Sequence, residues 1–285
     1  MSDALTPEPT TPAAPAGPAP STASASRGGA CIIAVTSGKG GVGKTFVSAN
    51  LAAALTRRGQ RVLVLDADLG LANLDVVLNL HPQVTLHDVF TGKAAVDDAV
   101  IVAPGGFDVL LAGSGMVEYS RLTPEVRNQF LSVLKALTPR YDVVLLDTGA
   151  GISDVVLFSI SLASEVLIVA TPEPTSLTDA YAAIKVLAMQ QKRQHVRMVI
   201  NQAARPGDGR AIASQLQQVL DRFVSTESGR PVRLIHMGDI PADSSVRDAV
   251  MRRQLLLLQT PGCPAALAIS QLANKIETTL LSPTA

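Results

Sequence analysis

The chain has 285 residues, of which 47% are hydrophobic, so it can bury the core of one large domain or two small ones. Its 24 basic and 24 acidic side chains cancel, which argues against a strongly basic nucleic-acid-binding surface. No run approaches the roughly 20 apolar residues of a membrane-spanning helix, and two cysteines, Cys31 and Cys263, are too few for a disulfide framework, an all-cysteine zinc site or a four-thiolate iron–sulfur cluster within one chain.

Residues 1–29 differ in composition from the rest of the chain. They contain six of the 18 prolines and seven alanines, with almost no large apolar side chain. Such a segment buries too little surface to offset its ordering entropy, so we predict a disordered tail. Asp3 and Glu8 stand where a secretory signal would be basic, and no apolar segment follows them. We therefore expect a cytoplasmic protein.

From Cys31 onward, short apolar runs alternate with segments of helical period. The predicted strands are 31–37, 61–68, 108–112, 142–148, 165–171, 196–201 and 232–240. The predicted helices are 43–58, 124–137, 153–163, 176–191, 211–223, 244–253 and 265–280. Strands that are apolar on both faces are typical of a parallel sheet covered by helices. We predict a single α/β domain over residues 30–285, with a doubly wound, mostly parallel sheet of about seven to eight strands and helices on both faces.

The first predicted strand runs directly into the phosphate-loop sequence GKGGVGKT at residues 38–45, and a predicted helix follows. This matches G-x-x-x-x-G-K-[ST] in the strand–loop–helix setting that the motif requires. Its glycines allow successive backbone N–H groups to surround phosphate oxygens, and the helix dipole adds to the attraction. We expect Lys44 to neutralise the β- and γ-phosphates and Thr45 to offer its hydroxyl to Mg²⁺.

The same loop also fits the dinucleotide-binding pattern, since Gly38, Gly40 and Gly43 read G-x-G-x-x-G and Asp66 stands near the position of a ribose-binding acid. A dinucleotide loop has no use for an adjacent Lys-Thr pair, nor for a second strand-end carboxylate such as Asp147. An apolar strand that ends in a carboxylate is typical of the element that holds Mg²⁺ through water in triphosphate-binding proteins. The sequence therefore favours the triphosphate over the dinucleotide, and over a merely structural glycine turn.

Lys39 is an additional cation inside the loop. On general grounds it is an ordinary solvated lysine, but the run from Lys39 to Thr45 resembles the signature-lysine phosphate loop of the MinD/ParA class of ATPases. In that class this lysine reaches the phosphates of a partner subunit, which relieves the repulsion between two nucleotides in one buried interface. The resemblance implies an ATP-dependent homodimer.

The resemblance extends over nearly all of residues 30–285. Residues 66–75 (DADLGLANLD) resemble the first switch of the class, and residues 147–153 (DTGAGIS) resemble its magnesium-binding strand end and second switch. Asn201 and residues 240–243 match the two places where the class holds adenine. Together with residues 173–181 (EPTSLTDAY), the sequences of the two switch segments are most similar to those of the flagellar MinD-like ATPases called FlhG, FleN or YlxH.

The resemblance also implies catalytic roles. Asp68 would orient the attacking water, with electrostatic help from Mg²⁺, Lys44 and Lys39. A carboxylate of ordinary pKa is a weak base and acts mainly by positioning, so we expect slow, Mg²⁺-dependent hydrolysis of ATP to ADP and phosphate.

Ligand-binding roles follow in the same way. Asp66 and Asp147 would hold the water shell of Mg²⁺ and Thr45 would be a direct ligand, while Glu173 would touch the ribose bound by the partner subunit. The nucleotide-binding residues that the resemblance implies are Gly38, Lys39, Gly40, Gly41, Val42, Gly43, Lys44, Thr45, Phe46, Asn201, Pro241, Asp243 and Glu173.

The expected function is that of an ATP-driven switch that regulates flagellar number or placement. The family implies partners among flagellar proteins: an FlhF-type GTPase, a transcriptional activator of flagellar genes and components of the switch complex. The main alternative is a ParA-like ATPase of DNA partitioning, which the zero net charge disfavours. Iron–sulfur carriers of the same fold need paired cysteines, and metabolic phosphate-loop enzymes are a further alternative.

The last predicted helix carries an apolar stripe that consists of Leu267, Ile269, Leu272, Ile276 and Leu280. Members of the class often end in a helix that binds membranes transiently, which would place the protein at the inner face of the cell membrane or at a cell pole. The polar face of this helix is not basic, however, so packing against the sheet is the favoured interpretation.

Overall fold

The computed structural model describes residues 29–70, 73–113, 122–205 and 207–281. Eight strands form one sheet in the order β3-β4-β2-β5-β1-β6-β7-β8. All neighbouring pairs in this sheet are parallel except β3 and β4, which confirms the predicted mostly parallel sheet. The strands are β1 (Cys31–Ser37), β2 (Val62–Ala67), β3 (Val100–Val102), β4 (Asp108–Leu110), β5 (Val143–Ala150), β6 (Glu165–Ala170), β7 (His195–Ala203) and β8 (Arg233–Pro241).

Helices connect the parallel strands, as right-handed crossovers require. All seven predicted helices are present, most with ends shifted by one to three residues. The helices are α1 (Lys44–Arg57), α2 (Leu74–Leu78), α3 (Leu86–Phe90), α4 (Val96–Ala99), α5 (Pro124–Leu137), α6 (Asp154–Ser161), α7 (Pro174–Gln191), α8 (Asp208–Val219), α9 (Thr226–Ser228), α10 (Ser244–Met251), α11 (Leu256–Gln259) and α12 (Pro264–Ile276).

The core lies on both faces of the sheet, and β5 shows why. Its side chains alternate between two buried clusters: Val143 and Leu145 belong to one, and Val144 and Leu146 to the other. The first cluster includes side chains of α1, α11 and α12, and the second those of α5, α6, α7 and α8. A strand that is buried on both faces reads as a continuous apolar run, which is the pattern on which the prediction depended.

The elements that the sequence pattern missed are short. Strand β3 has three residues at the edge of the sheet, where Val102 is 70% exposed. Helices α2, α3, α4 and α11 have five residues or fewer. Elements of this length show no complete period of hydrophobicity, so tertiary contacts determine them.

The apolar stripe of the C-terminal segment packs mainly inside the protein. Ile269, Leu272 and Ile276 are buried in the cluster that contains α1, and Leu280 packs against it, whereas Leu267 is exposed. The stripe is therefore part of the core apart from Leu267, as the favoured interpretation expects. No helix within the described ranges is long and apolar enough to cross a membrane. The predicted tail, apart from Gly29, lies outside the described residues.

Candidate functional site

The phosphate loop connects the carboxyl end of β1 to α1. Gly43 adopts a left-handed conformation (φ +92°) immediately before α1, and within the described structure no side chain caps this helix and no acid stands in its first turn. The first N–H groups of a helix have no partner inside the helix, and its dipole is positive there. The loop thus presents backbone N–H donors in an arrangement that suits an anion.

Two glycines of the loop are required by packing. A Cβ atom on Gly38 would lie 2.2 Å from the backbone oxygen of Asp179 in α7, and one on Gly43 would lie 2.5 Å from the side-chain nitrogen of Asn201. Asn201 donates from that nitrogen to the backbone oxygen of Val42, at 2.8 Å. The loop is consequently held between α7 and the end of β7.

The sheet register brings two predicted magnesium residues side by side. Asp66, near the end of β2, pairs with Asp147 on the neighbouring strand β5, and β1 lies on the other side of β5 with Val35 opposite Asp147. Because the carboxyl ends of parallel strands share one edge, both carboxylates lie beside the phosphate loop. They line a cavity of about 590 Å³ together with Lys44, Thr45 and Asp68.

Asp147 is held in place by hydroxyl groups of α1. Ser48 donates to its Oδ1 at 2.9 Å, and Thr45 is a second donor. Burial raises the pKa of Asp147 to about 6, although these hydrogen bonds and the charge of Lys44 act in the opposite direction. Burial also lowers the pKa of Lys44, against the attraction of Asp147 and Asp68. The site therefore contains a buried cation that is balanced by carboxylates.

Asp66 has unused capacity to bind a cation. Its side chain is 2% exposed, and its Oδ2 has no hydrogen-bond partner among the described residues. Burial, followed by the charge of Asp147, raises the pKa of Asp66 well above the ordinary value, while backbone N–H groups of Asp68 and Leu74 act against this rise. A buried carboxylate with an unsatisfied oxygen beside a second carboxylate fits a divalent cation or its water shell.

Removing the charge of Asp66 should stabilise the ligand-free protein. Since folding raises its pKa, the folded chain holds the proton more tightly, and the stability contributed by this group is lost as pH rises above about 4. We expect Asp66→Asn to raise the free energy of unfolding by about 1–3 kcal/mol at pH 7.5, measured by urea denaturation in EDTA. The difference from wild type should shrink toward pH 4, and a variant that is less stable than wild type at pH 7.5 would contradict this prediction.

Asp68 lies against the second switch segment. Its Cγ would be 3.3 Å from a Cβ atom built on Gly149, and it is half-buried at the wall of the cavity. A side chain at position 149 would therefore crowd Asp68. The structure brings this carboxylate into the same cavity as Lys44 and Thr45.

The predicted adenine-binding residues line a second cavity of about 460 Å³. Asn201, Pro241 and Asp243 contribute to it, and Phe46 lies at the wall that it shares with the first cavity. The carboxylate of Asp243 already accepts the backbone N–H groups of Ser245 and Ala265, at 2.9 and 3.2 Å. Asn201 and Asp243 thus shape this cavity while their polar groups bind the protein itself.

Lys39 and Glu173 are brought together, although they do not line the phosphate cavity within the described residues. The ammonium of Lys39 lies 2.9 Å from Glu173 Oε2 and donates to the hydroxyl of Thr175 at 3.1 Å. This contact inside one subunit was not predicted.

Sequence reasoning also missed Ser48. It is fully buried and holds Asp147, and it stands three residues after Thr45, so both face the same side of α1. A serine one helical turn after Thr45, on the helix that follows the phosphate loop, was the signal that could have revealed it.

Residues 30–277 match the family model ParA, which is described as NUBPL iron-transfer P-loop NTPase. The chain belongs to the ParA family of P-loop NTPases. Within this ParA-family chain, Cys31 begins β1 and contacts Ser164, whereas Cys263 is buried at the start of α12. The two cysteines thus occupy separate elements.

Alignments with several relatives span most of the chain. The antiactivator FleN of Pseudomonas aeruginosa is 42% identical over 246 residues, which is 86% of each chain. The flagellum site-determining protein YlxH of Helicobacter pylori is 32% identical over 88% of this chain and 85% of its own. Among solved structures, the septum site-determining protein MinD of Pyrococcus horikoshii, complexed with Mg-ADP, is 28% identical, with a TM-score of 0.70 over 88% of this chain and 98% of that chain.

Proposed function

We propose that this chain is a slow, Mg²⁺-dependent ATP hydrolase that acts as a dimerising switch. The observation that carries the proposal is the convergence of Lys44, Thr45, Asp66, Asp68 and Asp147 on one cavity at the phosphate loop. This set supplies a cation for phosphates, ligands for magnesium and a carboxylate to position water. The MinD relative complexed with Mg-ADP supports the choice of nucleotide and metal.

Each residue has a distinct task in this proposal. Backbone N–H groups of residues 38–46 and the ammonium of Lys44 bind the phosphates, and Thr45 binds the metal directly. Asp66 and Asp147 hold its water shell, with Asp147 oriented by Ser48. Magnesium, when bound, neutralises phosphate charge, while Asp68 orients the attacking water. Asn201, Pro241 and Asp243 shape the cavity for adenine, and Glu173 touches the ribose of the partner's nucleotide.

Lys39→Ala tests the switch. In the proposed dimer this lysine serves the phosphates of the partner subunit, so the variant should bind ATP with unchanged affinity and fail to dimerise. Size-exclusion chromatography with light scattering, with and without Mg-ATP, measures this. Lys93→Ala, which alters an exposed lysine far along the chain, is the control. Normal ATP-dependent dimerisation of Lys39→Ala would contradict the crossed-lysine arrangement.

The switch regulates flagellar number or placement through protein partners. The relatives FleN, an antiactivator, and YlxH, a flagellum site-determining protein, support this assignment. The partners would be an FlhF-type GTPase, a transcriptional activator of flagellar genes and switch-complex components. Deleting the gene and counting flagella by microscopy tests the assignment. We expect a changed number or position of flagella. An unchanged pattern would favour the alternative, a DNA-partitioning ATPase.

The protein would act in the cytoplasm and at the inner face of the cell membrane or a cell pole, through transient association. DNA is not expected as a partner because the net charge is zero. An ATP-dependent, salt-sensitive shift of plasmid DNA in a gel would contradict that expectation.

A further inference from the structure

A cleft of about 200 Å³ lies at the amino ends of β7 and β8. It is formed where the end of α7 meets α9 and the loop that leads into β8. Its lining residues are Ala188, Met189, Lys192, Arg193, Gln194, Glu227, Ser228, Arg230 and Val232. Strands β1, β6, β7 and β8 are parallel neighbours, so the amino ends of β7 and β8 lie at the edge of the sheet opposite to the phosphate loop. A ligand in this cleft would therefore leave the nucleotide site free.

Three basic side chains line the cleft. Lys192 and Arg230 are exposed, and Arg193 is half-buried. Within the described residues none of the three forms an ion pair. Arg193 donates instead to the backbone oxygens of Ser164 and Ile160, each at 3.0 Å. Its guanidinium is thus fixed in place, while its positive charge has no carboxylate at ion-pair distance.

Acidic side chains near the cleft are already neutralised. Glu227, which belongs to the lining, lies 2.6 Å from the ammonium of Lys185. Glu165, at the start of the neighbouring strand β6, pairs with Arg197. The cleft therefore carries uncompensated positive charge, although the chain as a whole has a net charge of zero.

The positive surface continues beside the cleft. Arg233 begins β8 and is the direct neighbour of His195 in the register of β7 and β8, and both residues are exposed. The wall of the cleft also presents Met189, which is 39% exposed. Arginine and methionine are enriched in protein–protein interfaces relative to the rest of protein surfaces. This combination is typical of a surface that binds another polypeptide.

We propose that the cleft and the adjoining Arg233 are a docking surface for an acidic segment of a protein partner. Charge complementarity selects this chemistry, because carboxylates would supply the partners that Lys192, Arg193 and Arg230 lack. Nucleic acid derives its affinity from many phosphate contacts, whereas a small cleft with three cations offers few. The surface goes beyond the proposed function, since docking at the amino edge of the sheet requires neither ATP nor a dimer.

The probe is a fluorescein-labelled hexaglutamate peptide, and its fluorescence anisotropy is measured with the full chain in 50 mM NaCl. Wild type should bind it saturably, with or without Mg²⁺ and a non-hydrolysable ATP analogue. Lys192→Glu/Arg230→Glu should weaken binding at least about ten-fold, because attractive contacts become repulsive ones. Lys192→Arg/Arg230→Lys keeps both charges and should stay within about three-fold of wild type. Thermal unfolding shows whether each variant is folded.

Lys93→Glu/Lys135→Glu is the matched control, since it changes the net charge equally at two exposed lysines outside the cleft. It should bind the probe within about three-fold of wild type. An equal loss of affinity in this control, or no saturable binding by wild type, would overturn the inference. Loss of binding in the presence of the ATP analogue would also overturn it, because the surface would then not be independent of the nucleotide site.

Two other occupants are distinguished by further measurements. Asp3 and Glu8 are the only acids of residues 1–28, so tighter probe binding by Asp3→Asn/Glu8→Gln would show that this segment, and not a partner, occupies the cleft. Tighter binding of a 12-nucleotide single-stranded DNA than of hexaglutamate, lost in Lys192→Glu/Arg230→Glu, would reassign the surface to nucleic acid. A wild-type chain that binds hexaglutamate but stays monomeric with the ATP analogue would overturn the proposed switch and leave this inference intact.

Discussion

Lys44→Ala should lose nucleotide binding. The ammonium of Lys44 lies in the cavity beside Asp147 and Asp68, where burial lowers its pKa and the carboxylates act against this fall. Charge-assisted hydrogen bonds in such a site are worth about 3 kcal/mol in total, so the dissociation constant for Mg-ATP should rise at least about 100-fold. Isothermal titration calorimetry measures the change.

Lys39→Ala is the matched control for this prediction, because it removes a lysine from the same loop whose ammonium binds α7 instead of lining the cavity. It should bind Mg-ATP within about three-fold of wild type. The assignment of the phosphate site would be wrong if Lys44→Ala kept its affinity, or if both variants lost it equally. Thermal unfolding without nucleotide shows whether each variant is folded.

Asp68→Asn should stop turnover while leaving binding intact. Asp68 lies at the wall of the phosphate cavity against the Gly149 backbone, and in the proposed mechanism it positions the attacking water. A positioned carboxylate contributes about 100-fold to 10,000-fold, so the single-turnover rate of phosphate release should fall at least about 100-fold. The variant should still dimerise with ATP, because in the proposed switch hydrolysis is the step that ends the dimer.

Asp66→Asn distinguishes positioning of water from binding of metal. If Asp66 holds the magnesium water shell, raising the Mg²⁺ concentration should restore part of the activity of Asp66→Asn, whereas Asp68→Asn should not respond. Activity of Asp68→Asn within a few-fold of wild type would remove Asp68 from the catalytic role. Rescue of Asp68→Asn by magnesium would reassign it as a metal-binding residue.

Local sequence patterns were sufficient to predict the features that depend on backbone conformation and on the burial of neighbouring residues. Residues 38–45 specify a loop before a helix because glycine permits the left-handed backbone that Gly43 adopts at φ +92°. The position of Asp66 and Asp147 could be predicted because a carboxylate near the end of an apolar strand lies toward the carboxyl edge of a parallel sheet. Continuous apolar runs predicted a sheet covered by helices on both faces, because a strand that is buried on both faces has apolar residues at successive positions.

Contacts between distant segments were decided only by the tertiary structure. The sequence gives no spacing rule that joins Lys39 to Glu173 or Asn201 to the loop at Val42, because these pairs meet only after the strands take their order in the sheet. The pattern of the apolar stripe of α12 is compatible with a membrane surface and with a protein core, because both environments are apolar. The structure shows that α12 packs against α1 and β8 and belongs to the core. Periodicity fixes which face of an element is apolar, and the order of elements in space determines what covers it.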